Sequence, residues 1–229
     1  MTPVPDPDAL GALRAAGIED DLAARLATYA ALVLDANRRL NLTGAKTGAA
    51  FAAHVIDALT LRDDVAGPLM DVGSGNGIPG IPLALATSAR VTLLEPIKKR
   101  ASFLRKALAA LSVDGDVHDA RAEDAARDPA YRERFTTATA RAVASGPAVA
   151  ELTIPLLVVG GRALLQRGAL DPLERNAIAD AALVLGAELA EERLLDGERR
   201  ILVLEKRMPT NPRFPRRNGI PAKRPLCLS

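Results

Sequence analysis

Aromatic residues make up only 3% of this 229-residue chain, and tryptophan is absent. A core must therefore come mostly from Ala, Leu, Val and Ile, within a hydrophobic content of 48%. No aromatic pair offers an obvious stacking platform for a flat base. The single cysteine, Cys227, stands near the end, which excludes an internal disulfide framework and a cysteine-based zinc site. Two histidines, His54 and His118, are too few for a histidine-rich metal centre, so no metal is expected. No apolar run is long and charge-free enough to span a bilayer. The opening segment MTPVPDPDAL lacks the basic and apolar regions of a signal peptide. A cytoplasmic protein without a membrane partner is the expectation. Acids are missing from one region. Of 30 Lys and Arg against 28 Asp and Glu, residues 206–229 hold seven basic side chains and no acidic one. A basic tail on an acidic body suggests a polyanion such as nucleic acid, or simply a solvated tail.

What is present is organised around Leu69–Leu85, LMDVGSGNGIPGIPLAL. An apolar run closed by Asp71 and Val72 meets Gly73, Gly75, Gly77 and Gly80, then an apolar stretch of helical character. This reads as a buried strand, a tight turn and a helix whose free N–H groups face a ligand. Before it, apolar residues recur at helical spacing from Asp8 to Leu40, interrupted by Gly17, and a third helix is predicted over 47–62. After it come strands predicted at 90–95, 115–118, 136–142 and 162–166. Helices are predicted at 98–111, from the Ser145-Gly146-Pro147 loop to 158, and at 171–185. Gly160-Gly161 is read as a turn, and 187–195 with 200–205 as a hairpin around Asp196-Gly197. Strands alternating with helices imply an α/β fold. Its sheet should be mostly parallel with a terminal antiparallel hairpin, preceded by an N-terminal helical extension. The predicted divisions are 1–64 helical extension, 65–207 cofactor-binding domain and 208–229 basic tail.

In such sheets the ligand lies beyond the carboxyl ends of the strands. Gly73, Gly75 and Gly77 would supply the first loop. Glu95 closes the second strand about 20 residues later, where an acid can accept both ribose hydroxyls. Ala122 and Glu123 follow the third strand and could hold an adenine amino group; Glu123 could equally be an acid favoured at a helix N-terminus. Arg141 ends the fourth strand, facing the mouth, for a role on the RNA or cofactor side or for pairing with a core acid. Two cofactors fit this pattern. Gly75-x-Gly77-x-x-Gly80 matches the dinucleotide fingerprint, so a nicotinamide-dependent oxidoreductase is a rival. Against it, Asp71 precedes the glycines, where an acid would repel a pyrophosphate. S-adenosylmethionine carries a sulfonium and an ammonium and tolerates that acid. A non-catalytic RNA-binding or assembly factor on the same fold is a third reading.

The combination Asn41-Leu42-Thr43, His54-x-x-Asp57-x-Leu59, Asp71-Val-Gly-Ser-Gly-Asn-Gly-Ile-Pro-Gly-Ile-Pro-Leu83, Lys99-Arg100-x-x-Phe103-Leu104, Arg141-Ala142 and Pro212-Arg-Phe-Pro-Arg-Arg-x-Gly-x-Pro-x-Lys223 resembles the RsmG family, also called GidB. One departure is Ala58, where the family more often has Ser. The resemblance covers essentially the whole chain. It implies a Rossmann-like class I methyltransferase using S-adenosylmethionine on N7 of one guanine, conventionally numbered 527, in bacterial 16S ribosomal RNA. It implies that Gly73 and Ile78 line the cofactor loop, Glu95 meets the ribose, Ala122 and Glu123 flank the adenine, and Arg141 is catalytic. Asn41, Thr43, His54, Lys98, Lys99, Arg100, Arg216 and Arg217 are the candidates for contact with RNA. The partner would be 16S ribosomal RNA or the small ribosomal subunit, met by a monomer. Guanine N7 carries an in-plane lone pair, so the reaction needs alignment and exclusion of water rather than a nucleophilic cysteine.

Overall fold

The computed structural model describes residues 4–141 and 143–226. Cys227 and Ala142 lie outside the described residues. In chain order the elements are α1 (Pro7–Ala15), α2 (Asp20–Leu40), α3 (Gly48–Leu59), β1 (Leu69–Val72), α4 (Gly80–Thr87), β2 (Val91–Leu94), α5 (Lys98–Ala110), β3 (Gly115–His118), α6 (Ala122–Ala125), β4 (Phe135–Ala140), α7 (Gly146–Thr153), β5 (Leu157–Arg167), α8 (Pro172–Val184), β6 (Ala187–Leu194), β7 (Arg200–Lys206) and α9 (Ile220–Lys223). The strands form a seven-stranded sheet in the order β3-β2-β1-β4-β5-β7-β6. Parallel pairing joins β2 to β3, β1 to β4 and β4 to β5; the hairpin β6–β7 and its junction with β5 are antiparallel. This is the α/β class that the alternation predicted. The chain divides into two compact units, Met1–Val65 with Ser74–Asp119, and Ala66–Gly73 with Ala120–Ser229.

The first unit is built on three helices with well-defined ends. Asp6 caps α1 by accepting from the Ala9 N–H at 2.9 Å, and Pro7 occupies the first turn, where no donor is missed. Glu19 caps α2, and Asn41, left-handed at φ 49°, ends it. Ala23, Leu26, Ala27, Ala30 and Val33 form the buried stripe of α2 at helical spacing. Its Tyr29 ring meets Phe51 of α3 edge-on, centroids 5.5 Å apart. Ala101, Leu104, Ala107 and Leu108 are the buried face of α5, and β2 is buried along its length. The third helix is shorter than expected. Thr47 caps it, and the chain passes after Leu59 into a short 3₁₀ turn at Arg62–Asp64.

The second unit differs from expectation around the start of β5. Gly160-Gly161 is not a turn between elements but lies inside the 11-residue β5. Pairing with β4 jumps from Phe135↔Leu157 to Thr137↔Arg162, so the glycines fill an irregularity in the ladder. A Cβ on Gly161 would lie 3.0–3.1 Å from the Val158, Phe135 and Thr136 carbonyl oxygens, and Gly160 has φ 85°. The preceding helix accordingly stops at Thr153, and a 3₁₀ turn at Ile154–Leu156 leads into β5.

From the end of β7 on, the described residues pack within this second unit. Lys206 is wholly buried, its ammonium 2.7 Å from Glu133 Oε1 and donating to the Leu157 carbonyl at 2.8 Å. Burial pulls the Lys206 ammonium below its ordinary pKa, and Glu133 opposes that pull. Arg132 donates to the carbonyls of Thr210 and Phe214, and Arg127 to that of Pro215. Glu151, also wholly buried, accepts from the Arg216 backbone N–H at 2.7 Å and from its guanidinium Nη2 at 2.6 Å.

Candidate functional site

The glycine turn follows β1 and enters α4. Gly75 (φ 56°) and Gly77 (φ 102°) have backbone angles that residues with a Cβ rarely adopt. A Cβ on Gly77 would also lie 2.6 Å from Ile81 Cδ1. The Ser74 N–H donates to the Leu94 carbonyl at the end of β2, and the Gly77 N–H closes back on the Ser74 carbonyl at 2.6 Å. The turn is thereby tied to the strand that delivers Glu95.

Glu95 is buried, 3% exposed, yet no cation pairs with it among the described residues. Its Oε2 accepts the Gly75 N–H at 3.0 Å and its Oε1 the Ile97 N–H at 2.8 Å. A carboxylate offers about four acceptor positions. Two amide bonds orient this one and leave capacity for two further donors. The arrangement suits a vicinal diol placed beside bare glycine backbone.

Helix α2 and the loop after it hold the turn through hydrogen bonds. Tyr29 Oη donates to the Asn76 carbonyl at 2.8 Å, and Asn76 Nδ2 donates to the Leu42 carbonyl at 3.3 Å. The Ile78 N–H donates to Asn76 Oδ1 at 3.2 Å. Asn37 Oδ1 in turn accepts the Leu42 and Thr43 N–H groups at 2.6 and 2.9 Å. Asn37, Asn76 and Tyr29 were missed as functional by sequence reasoning. Tyr29 sits in the helical periodicity as an ordinary core residue, and only the position of its hydroxyl reveals the support.

The remaining site candidates belong to the second unit. Gly73 (φ 69°) follows β1, whose Asp71 is wholly buried and accepts from Thr139 Oγ1 at 3.2 Å, its partner in the β1–β4 register. Ala122 opens α6, and Glu123 lies buried in its first turn, accepting the Gly219 N–H at 2.7 Å. Arg141, half-buried, follows the last residue of β4. Thus the first unit brings Gly75, Gly77, Ile78 and Glu95 together, and the second carries Gly73, Ala122, Glu123 and Arg141.

The candidates for RNA contact are dispersed. Asn41 is the exposed left-handed end of α2, and Thr43 turns its hydroxyl to the Ala45 N–H. His54 is exposed on α3; Lys98 and Lys99 are exposed and Arg100 half-buried in the first turn of α5. Arg216 is held by Glu151, while Arg217 is exposed. Among the described residues no cluster of His, Cys, Asp and Glu could hold a metal, and no helix is long and apolar enough to cross a membrane.

Residues 22–203 match the family model described as rRNA small subunit methyltransferase G, GidB. The chain is 45% identical over 213 residues to a ribosomal RNA small subunit methyltransferase G of Rubrobacter xylanophilus, covering 86% of this chain and 81% of that one. It is 40% identical to the protein of that name from Pelotomaculum thermopropionicum, covering 86% and 88%. Among solved structures it resembles a mitomycin 7-O-methyltransferase, with a TM-score of 0.56, 12% identity and coverage of 69% and 56%. It also resembles a ribosomal protein L11 methylase of Lactobacillus delbrueckii, with a TM-score of 0.52, 16% identity and coverage of 69% and 80%. These two likenesses concern the fold alone. The family model spans residues 22–203 and the identity to the named relatives runs over most of both chains, so this chain belongs to the ribosomal RNA small subunit methyltransferase G family.

Proposed function

We propose that this protein transfers the methyl group of S-adenosylmethionine to N7 of a guanine in 16S ribosomal RNA, the position conventionally numbered 527. The observation that carries the cofactor is the buried Glu95 carboxylate, oriented by the Gly75 and Ile97 amides and left with acceptor capacity. A buried carboxylate with spare acceptor capacity fits a ribose, and the wholly buried Asp71 just ahead of the glycines disfavours a pyrophosphate. S-adenosylmethionine supplies an electrophilic methyl group on a cationic sulfur.

In this reading Gly75, Gly77 and Ile78 offer backbone to the cofactor and Glu95 holds its ribose. Gly73, Ala122 and Glu123 serve the same cofactor, and Arg141 acts at the reacting end. The chain's task is alignment and exclusion of water, since N7 needs no deprotonation. Membership of a family named for small-subunit ribosomal RNA supports the choice of substrate. The partner is 16S ribosomal RNA or the small subunit, engaged by a cytoplasmic monomer.

The test combines purified protein, labelled S-adenosylmethionine and small subunits from cells lacking this gene, followed by mapping of the modified nucleotide. Label at N7 of one guanine in the decoding-region loop is the expected result. Cofactor binding without transfer would retain the glycine turn's assignment and refute the substrate. Absence of binding would refute both.

A further inference from the structure

A groove of about 450 Å³ opens in the first unit between the C-terminal half of α2 and one face of α5. Ala36 and Leu40 from α2 and Phe103 from α5 give it an apolar floor, and Arg39, Lys98, Lys99 and Lys106 stand around it. The volume falls within the roughly 300–1,000 Å³ of ligand pockets. Its lining contains no acid.

The placement of these cations is not explained by folding. Lys98 and Lys99, with Arg100, occupy the first turn of α5, where the helix dipole repels positive charge. That turn has no acidic residue and no side-chain cap. Lys98, Lys99 and Lys106 are exposed and make no ion pair among the described residues; Arg39 has only a long 3.7 Å contact to the exposed Asp35. Lys98, Ser102 and Lys106 recur at four-residue spacing, so the lysines span about 12 Å along one side of the helix. A row of free cations over an apolar floor is complementary to a flexible polyanion that also has flat apolar faces. A single nucleic-acid strand is such a ligand, with phosphates for the lysines and an unstacked base for the floor. A duplex would engage the lysines but leave the floor unused.

We propose that the α2–α5 groove is a docking site for a single-stranded segment of the RNA substrate. Lys98, Lys99, Lys106 and Arg39 contact its phosphates, and a base lies against Leu40 and Phe103. The choice of RNA rests on the ribosomal-RNA reading above.

The experiment measures binding of protein-free small-subunit ribosomal RNA against salt concentration, for the full chain and for Lys98→Gln/Lys99→Gln/Lys106→Gln. A control with equal charge loss elsewhere is Arg14→Gln/Arg62→Gln/Arg90→Gln. Each lost phosphate contact on a single strand removes roughly 0.7 from the log–log salt slope. The lysine triple is expected to lose about two units of slope and to bind at least about tenfold more weakly at moderate salt, with S-adenosylmethionine affinity unchanged. The control is expected to keep the parent slope. Should the triple not fold, Lys99→Gln alone is expected to lose about 0.7. Equal slopes for triple and control, or no RNA binding by the parent, would overturn the proposal. So would a loss confined to assembled subunits, which would place an acidic protein in the groove. If the parent binds RNA with the expected slope change but methylates nothing, the catalytic reading fails and the groove stands. Methylation with an unaltered lysine-triple slope is the converse.

Discussion

Two basic stretches, Lys98-Lys99-Arg100 in the first unit and Arg216-Arg217 in the second, look alike as sequence and have different physical roles. Arg216 binds the buried Glu151 through its backbone N–H and its guanidinium, 65 residues away in sequence. Nearby, Lys206 meets Glu133, and Arg207 meets Glu188. The three lysines of α5 have no such acids. The buried acids differ in the same way. Glu151 is saturated by one arginine, whereas Glu95 is held by two backbone amides and retains acceptor capacity. The count of charges says nothing about availability; the acid or amide that tertiary structure places opposite each charge decides it.

Removing Arg216 should produce the largest effect. Arg216→Ala leaves the Glu151 carboxylate buried without its counter-charge, and loss of one partner of a buried pair costs about 3–5 kcal/mol. Denaturant unfolding should show a drop of that order; a change under about 1 kcal/mol would mean that Glu151 is not held as its contacts indicate.

Glu95→Gln comes next. The amide must turn an N–H₂ toward Gly75 or Ile97, both of which are donors. With a charged hydrogen bond contributing about 1.5–3 kcal/mol, S-adenosylmethionine affinity should fall at least about tenfold by calorimetry. Unchanged affinity would remove the distinction drawn between Glu95 and the saturated acids.

The smallest effect concerns pH. Burial raises the Glu133 carboxyl, but Lys206, the Thr210 amide and Arg132 together outweigh it and hold the group below 4.5. A carboxyl depressed in the folded state stabilises fully above its ordinary value and loses that contribution as pH falls through the folded value. Thermal stability should therefore decline below about pH 4.5, and Glu133→Gln should flatten that part of the profile. A Gln variant with the parent's acid limb would assign the decline to other groups.

Much of the fold was legible because periodicity and punctuation agreed. Gly17 separates α1 from α2, β3 spans the predicted 115–118, and Asp196-Gly197 lies between β6 and β7. Gly160-Gly161 misled for a physical reason: the same glycine pair serves a turn or a ladder irregularity, and only the β4 register tells which. In the candidate site, the glycine turn and its acid were visible as spacing. Tyr29 and Asn37 were not, because a helical tyrosine and asparagine carry no local mark of where their polar atoms end.

Composition, glycine placement and the alternation of apolar runs by themselves determined the α/β class, the strand–turn–helix around Gly75 and the acid that follows it. These depend on backbone conformations and burial patterns encoded within a few residues. Tertiary structure alone decided which charges are satisfied. It brought Arg216 to Glu151 and Lys206 to Glu133, left the α5 lysines beside an apolar groove, and gave Glu95 two amides in place of a cation. Electrostatic pairing depends on distance in space, and residues 65 or 73 positions apart carry no local signal of it.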